Sequence, residues 1–102
     1  MLEKTVLDDL RTHLMNRIAY AGYTVGSMIE TAPIEKAAIL EDGRVSAEFV
    51  IGGALGSGEV VTEVRLYDAN DVLLAKKPEK ITRDLGLGGI YYRFYFRIEE
   101  VV

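Results

Sequence analysis

The 102-residue chain contains no cysteine and no tryptophan, and it has only two prolines and one histidine. Without cysteine there is no disulfide, no thiolate zinc site and no cysteine nucleophile. A catalytic triad or a histidine-based metal site needs its histidine oriented by partners, and none lies near His13 in the sequence. We therefore interpret His13 as a boundary position of a helix, and we expect no catalytic residue, no metal site and no cofactor.

Positive charge is also scarce, since 12 Lys and Arg face 16 Asp and Glu, giving a net charge of −4. Phosphate binding needs a basic surface, so the composition argues against nucleic acid and anionic membranes as partners. No apolar run approaches the roughly 20 residues of a membrane-spanning helix, and no signal-peptide pattern opens the chain. We expect a single domain over residues 1–102 in a reducing cytoplasm.

The first 21 residues carry the pattern of an amphipathic helix. Large aliphatic side chains recur every four residues, and polar residues fill the opposite side. Gly22 follows as a stop signal, and residues 20–33 are interpreted as irregular. Because an exposed aliphatic stripe is unfavourable, we expect the helix to pack on the sheet that follows. The stripe consists of Leu2, Val6, Leu10, Leu14 and Ile18, and it is widened by Leu7 and Met15.

After residue 33 the pattern changes to that of β-strands. The Asp42-Gly43 pair lies between two partly apolar runs and is typical of a hairpin with a two-residue turn. That turn would place Leu40 opposite Val45. Residues 59–77, EVVTEVRLYDANDVLLAKK, predict a second hairpin with a four-residue turn at residues 68–71, which would set Leu66 opposite Leu73.

Polar side chains in that turn are expected to stabilise it through Asx interactions. Two glycine-rich segments, residues 52–58 and 84–89, are interpreted as loops. The first resembles a phosphate-binding loop in composition, but Glu59 and a strand follow where such a loop requires GK[ST] and a helix. We therefore expect no nucleotide site there.

Residues 90–102 alternate strictly between two faces, as a long strand does. The core face is expected to carry Tyr92, Phe94, Phe96 and Ile98. The other face carries Tyr91, Arg93, Tyr95 and Arg97. Such a stripe could stack nucleic-acid bases, but the negative net charge argues against that. Two interpretations remain: the helix covers this face, or the face is a subunit interface, where tyrosine and arginine are enriched. We favour the interface, because arginines are poorly accommodated under a helix.

These elements predict an α+β fold that is mainly β. An N-terminal amphipathic helix, within residues 1–21, packs on an antiparallel β-sandwich or meander of about five to six strands, within residues 34–102.

Residues 62–75, TEVRLYDANDVLLA, resemble a motif of bacteriophage tail and tail-fibre-associated proteins. Those proteins typically read I-T-E-[VI]-G-L-[FY]-D-A-x-G-x-L-[LI]-A, followed by a polar segment and an alternating strand. Residues 76–83 and 90–98 follow in that order. Arg65 and Asp71 stand where the motif carries glycine. The change at Asp71 predicts a different turn geometry, with Asn70 in the left-handed region.

The resemblance implies a non-enzymatic structural protein of a phage or prophage tail. Such a protein would be a virion component, or would occupy the host cytoplasm before assembly. It would form a homo-oligomer or bind other phage structural proteins. The alternative is a small β-sandwich binding module that recognises sugar or peptide through Tyr91 and Tyr95. An enzyme ranks last, because no constellation of catalytic residues converges.

Overall fold

The computed structural model describes residues 1–52, 59–82 and 89–99. Within these ranges lie one helix and seven strands: α1 (Lys4–Arg17), β1 (Tyr20–Val25), β2 (Met28–Pro33), β3 (Lys36–Ile39), β4 (Val45–Ile51), β5 (Val60–Tyr67), β6 (Leu73–Thr82) and β7 (Ile90–Phe96). The strands form two antiparallel sheets with the orders β2-β1-β5-β6 and β3-β4-β7. The α+β, mainly β class is confirmed, with seven described strands where five or six were expected.

Parts of the predicted elements fall outside the described residues. The two glycine-rich loops do so except for Gly52 and Gly89, and the last strand does so from residue 100 onward. The described part of the chain contains no helix long and apolar enough to cross a membrane.

The first two strands form a hairpin where the sequence was interpreted as irregular, so that interpretation is wrong. Val25 pairs with Met28, which leaves Gly26 and Ser27 as a two-residue loop. Gly26 has a φ of 60°, the positive value that a type II′ turn requires at its first central position. A Gly-Ser pair between two strand-like runs is itself a hairpin signal.

Gly22 lies inside β1, so the prediction that it ends the helix is also wrong. A Cβ atom at this position would lie 3.0 Å from Cε2 of Tyr67. The Tyr67 ring stacks on that of Tyr20 with 4.9 Å between the ring centroids. Glycine therefore leaves room for an aromatic stack across β1 and β5. The helix ends earlier, at Arg17, where Ile18 turns to extended backbone and becomes buried.

The helix packs along β3 and β4, as expected, but with a different stripe. Leu2, Val6 and Leu10 keep 44, 42 and 44 % of their surface exposed. The half-buried side, spaced at helical intervals, consists of Leu7, Asp8, Arg11, Leu14 and Met15. Met15 packs against the core. The predicted stripe is therefore wrong for its first three members, and the side that packs is the one on which Leu7 and Met15 widen it.

The predicted hairpin of β3 and β4 is present, but the prediction of a two-residue turn is wrong. Ile39, not Leu40, lies opposite Val45. Leu40 N–H donates to the carbonyl of Arg44 at 2.8 Å, and Gly43 N–H donates back to Leu40 at 2.9 Å. Residues 41–43 thus form a three-residue loop whose last member, Gly43, has a φ of 86°. This loop type ends in a left-handed residue, which glycine suits best.

The hairpin of β5 and β6 is built in the same way, and its predicted register is also wrong. Leu66 lies opposite Ala75. Asp68 N–H donates to the carbonyl of Val72 at 3.0 Å, so the loop is residues 69–71. Asp68 Oδ1 accepts the N–H groups of Asn70 and Val72, both at 2.9 Å, which confirms the Asx interaction.

The left-handed residue of this loop is Asp71, with a φ of 63°, so the prediction for Asn70 is wrong. Asp71 occupies the position at which the phage-tail motif carries glycine. A positive φ is one that glycine adopts readily, and here an aspartate adopts it. Aspartate tolerates this region better than most residues do, because its short polar side chain bonds locally. The Asp71 carboxylate accepts a hydrogen bond from the Tyr20 hydroxyl at 2.7 Å.

Both sheets contribute side chains to a single hydrophobic cluster. Strand β4 supplies much of it, since Val45, Ala47 and Phe49 have no exposed surface. Burial of a side chain the size of Val or Phe contributes about 1.5–3 kcal/mol. The largest fully buried side chains are Phe49, Ile51, Leu66, Val45, Val61 and Val64.

Candidate functional site

The candidate site is the outward face of β7, and its residues alternate with the core as the sequence predicts. Phe94 is buried, whereas Tyr91 and Tyr95 expose 59 and 41 % of their surface. The side chains of Arg93 and Arg97 are each about half exposed. Because four large side chains of this face remain open to solvent, the helix does not cover it.

A buried carboxylate lies at the centre of this face. Glu48 is on β4, directly opposite Arg93, and its side chain is only 8 % exposed. Arg93 Nε donates to Glu48 Oε1, and the Tyr91 hydroxyl donates to Glu48 Oε2 at 3.4 Å. The pKa of Tyr91 is raised, first by partial desolvation of its hydroxyl and then by the neighbouring Glu48 charge. Glu48 therefore holds both an arginine and a tyrosine of the face in place.

Tyr95 is fixed between two arginines. Arg93 Nη1 donates to the Tyr95 hydroxyl at 3.2 Å, and this hydrogen bond is the first cause of the raised pKa of Arg93. On the ring itself, the guanidinium carbon of Arg44 lies 4.5 Å from the centroid. Cation–π contacts at this distance favour the stacked geometry.

The arginines of the face are balanced by acidic partners. Arg44 Nε lies 2.6 Å from Asp42 Oδ2, and Arg97 lies 3.9 Å from the same oxygen and 3.4 Å from Glu99. The pKa of Asp42 is lowered, first by the hydrogen bond from the Arg44 backbone N–H. With carboxylates beside each arginine, the face lacks the surplus of positive charge that nucleic-acid backbones require.

A polar hollow of about 450 Å³, separate from the β7 face, lies between the end of α1 and the loop at residues 69–71. His13, which is exposed, lines it together with Arg17 and Asp68. Both Arg17 Nε and Nη2 donate to Asp68 Oδ2 at 3.2 Å, so this contact ties the helix end to the hairpin. In the described ranges, no three His, Cys, Asp or Glu side chains lie close enough together to hold a metal ion.

Comparisons of this chain with known proteins found no relative. No family model, curated protein or solved structure matches the chain. The geometry of the β7 face is therefore the basis for a functional proposal, together with the resemblance at residues 62–75.

Sequence reasoning found Tyr91, Arg93 and Tyr95 on β7 and Arg97 directly after it, but it missed the residues that hold them. The alternating pattern around Glu48 and Arg44 gave no indication that either residue contacts this face. Glu48 is buried beneath Arg93, and Arg44 lies on the ring of Tyr95. The one available signal was the opposite charge of Glu48 and Arg93 on two strands that pair with each other.

Proposed function

We propose that this protein is a non-enzymatic, bacteriophage or prophage tail-associated structural protein. In this proposal it is a small β-sandwich that binds copies of itself or other virion proteins. The binding surface is the β7 face formed by Tyr91, Arg93, Tyr95 and Arg97. The observation that carries the proposal is that two exposed tyrosines are held by a network anchored on buried Glu48.

Preorganisation is what makes this network suited to binding. Immobilising a flexible side chain at an interface costs about 0.5–1.5 kcal/mol. The Arg93 side chain is already restrained by Glu48 and Tyr95, and the Tyr95 ring is restrained by Arg44. A partner that docks here would therefore order few side chains. Tyrosine and arginine also offer large contact area and several hydrogen-bond donors, as interface centres do.

The tail assignment is supported by the hairpin of β5 and β6. The motif of tail proteins has an aspartate at the start of its turn and a glycine three residues later. In this chain Asp68 caps the loop, and Asp71 adopts the left-handed backbone at the glycine position. The turn geometry thus agrees with the resemblance where the residue type departs from it.

The assembly proposal is tested by light scattering at micromolar concentration. We expect the parent to show at least twice the 11.3 kDa mass of one chain, and the Tyr95→Glu variant to show a lower mass than the parent. The glutamate can accept hydrogen bonds from Arg93 and Arg44, so the variant should fold. Val72→Glu is the matched control, because Val72 is 47 % exposed and follows the loop of the other sheet.

A parent that stays monomeric at all accessible concentrations would remove self-assembly. Binding of the monomer to sugar or peptide arrays, lost in Tyr95→Glu, would then favour the binding-module alternative. The tail assignment has a separate test, which is mass spectrometry of purified virions induced from the host. Absence of the chain from such particles would contradict it.

A further inference from the structure

The two sheets together have four edge strands: β2, β6, β3 and β7. An edge strand presents unpaired N–H and C=O groups, and proteins protect such edges with proline, lysine, bulges or short length. Three of the four edges carry these features. Strand β2 ends in Pro33, and β3 has only four residues, beginning with Lys36. Strand β6 contains Pro78 and three lysines, and its ladder to β5 shifts register at two places.

Strand β7 lacks proline, lysine, a bulge and short length, and its one charged side chain, Arg93, is paired with Glu48 of the neighbouring strand. It is seven residues long, IYYRFYF, with neither proline nor lysine. Its ladder to β4 runs without a register shift from Ile90, opposite Ile51, to Phe96, opposite Val45. Within residues 1–52, 59–82 and 89–99, β4 is the one strand that pairs with it. A regular, aromatic edge of this length is a template for the addition of another strand.

We propose that the β7 edge pairs antiparallel with β7 of a second copy of this chain, across a two-fold axis. The two three-stranded sheets would then join into one sheet of order β3-β4-β7-β7-β4-β3. This inference rests on the proposed assembly function and specifies its partner and geometry. A two-fold axis uses the same edge on both subunits, which is the commonest arrangement in homo-oligomers.

The side chains of β7 select the register of this pairing. Residues directly opposite each other point to the same face, so the register must place odd positions against odd positions. Centring the axis on Arg93 would set Arg93 against Arg93 of the other copy, a like-charge pair. Centring it on Phe94 sets Arg93 against Tyr95 and Tyr91 against Arg97.

The Phe94-centred register is the complementary one. Every arginine then meets a tyrosine on the outer face, where cation–π and hydrogen-bond contacts form. On the inner face, Phe94 meets Phe94 and Tyr92 meets Phe96, and cross-strand aromatic pairs are stabilising. The Arg93–Glu48 pairs stay intact in both copies, so no buried carboxylate loses its partner.

Because the chain has no cysteine, single cysteine variants can map this register. Directly opposite residues have Cα atoms about 4.5–5.5 Å apart, within disulfide range. Diagonal neighbours lie about 7–8 Å apart, beyond that range. A mixture of Tyr91→Cys and Arg97→Cys should therefore form a covalent dimer under mild oxidation. Neither variant alone should do so. Both positions are exposed and leave Arg93 with Glu48, and thermal melting checks that each variant folds.

A mixture of Tyr91→Cys and Tyr95→Cys reports the other register, because an axis on Arg93 would bring these positions together. Preferential cross-linking of that mixture would overturn the Phe94-centred register. A parent that is dimeric by light scattering but cross-links in neither mixture would overturn the proposed Phe94-centred pairing, while the proposed assembly function would stand. A parent that is monomeric would overturn the inference, and binding to virion proteins would then decide the proposed function separately.

Discussion

The three-residue loop at residues 41–43 makes a quantitative prediction about Gly43. Its φ of 86° lies in the left-handed region, which costs a residue with a Cβ atom about 1–2 kcal/mol. A Cβ atom at Gly43 would also lie 2.9 Å from Cζ and Nη2 of Arg11. Gly43→Ala should therefore lower the free energy of unfolding through two separate effects, backbone strain and displacement of Arg11.

The second effect can be sized from the surroundings of Arg11. Its side chain is only 17 % exposed and is bonded to Asp8 at 3.1 Å, so it cannot move without losing contacts. Overpacking of this kind typically costs about 1–3 kcal/mol, and the low end applies because the far end of a long side chain yields. The total for Gly43→Ala is thus about 2–3 kcal/mol.

Gly26→Ala is the matched control for backbone strain alone. Gly26 has a φ of 60°, and nothing lies within 4 Å of the Cβ atom that would be added. It should be destabilised through backbone strain alone, because an alanine at the first central position of a type II′ turn resists the positive φ. For a domain of this size, each kcal/mol corresponds to roughly 4–8 °C in Tm, so urea and thermal unfolding can resolve the difference.

A double-mutant cycle isolates the contact with Arg11. In an Arg11→Ala background the penalty of Gly43→Ala should fall to the backbone strain alone, about 1–2 kcal/mol, since the collision is gone. If Gly43→Ala melts like the parent, the three-residue loop with a left-handed Gly43 is wrong. If its penalty is the same with and without Arg11, the packing part of the argument fails.

Two further predictions concern the helix and the second hairpin. Leu14→Ala should destabilise the protein by about 1–2 kcal/mol, because Leu14 is half-buried. Leu10→Ala should cost less than about 0.5 kcal/mol, because Leu10 is exposed. Chemical denaturation of both variants checks this order. The pKa of Asp68 is lowered, first by the hydrogen bond from the Val72 N–H. The stabilisation that this carboxylate contributes is therefore complete above its unfolded pKa near 4. It is lost as the pH falls through the lower pKa of the folded state. Asp68→Asn should therefore show a flatter loss of stability below about pH 4 than the parent, and identical acid profiles would contradict the cap.

The sequence predicted the existence of the two hairpins but not their registers, for a physical reason. A two-residue turn and a three-residue loop both accept glycine at position 43, since each needs a positive φ there. They differ at Asp42, which needs a positive φ only in the two-residue turn and does not have one here. Local residue preferences could not separate these cases; the three-residue loop is the one that accompanies the pairing of Ile39 with fully buried Val45.

The alternation of β7 was predictable because it depends on a period of two within one strand. The position of Glu48 was not, because a charged residue among alternating ones is usually exposed. Its burial depends on Arg93, which comes much later in the chain and is brought opposite by sheet pairing. The prediction of which helix side packs was wrong for a related reason. Two aliphatic series fit the helical period, and only tertiary contacts decide which of them is buried.

The short length of β3 limits what assembly through β7 can build. In a joined sheet, β3 would be the outermost strand on both sides, and it offers four residues with a lysine at its start. Helix α1 lies against this strand as well. Addition through the sheets would therefore stop after one event and give a closed pair instead of a growing fibril. An extended array of this protein would have to link such pairs through a contact of another kind.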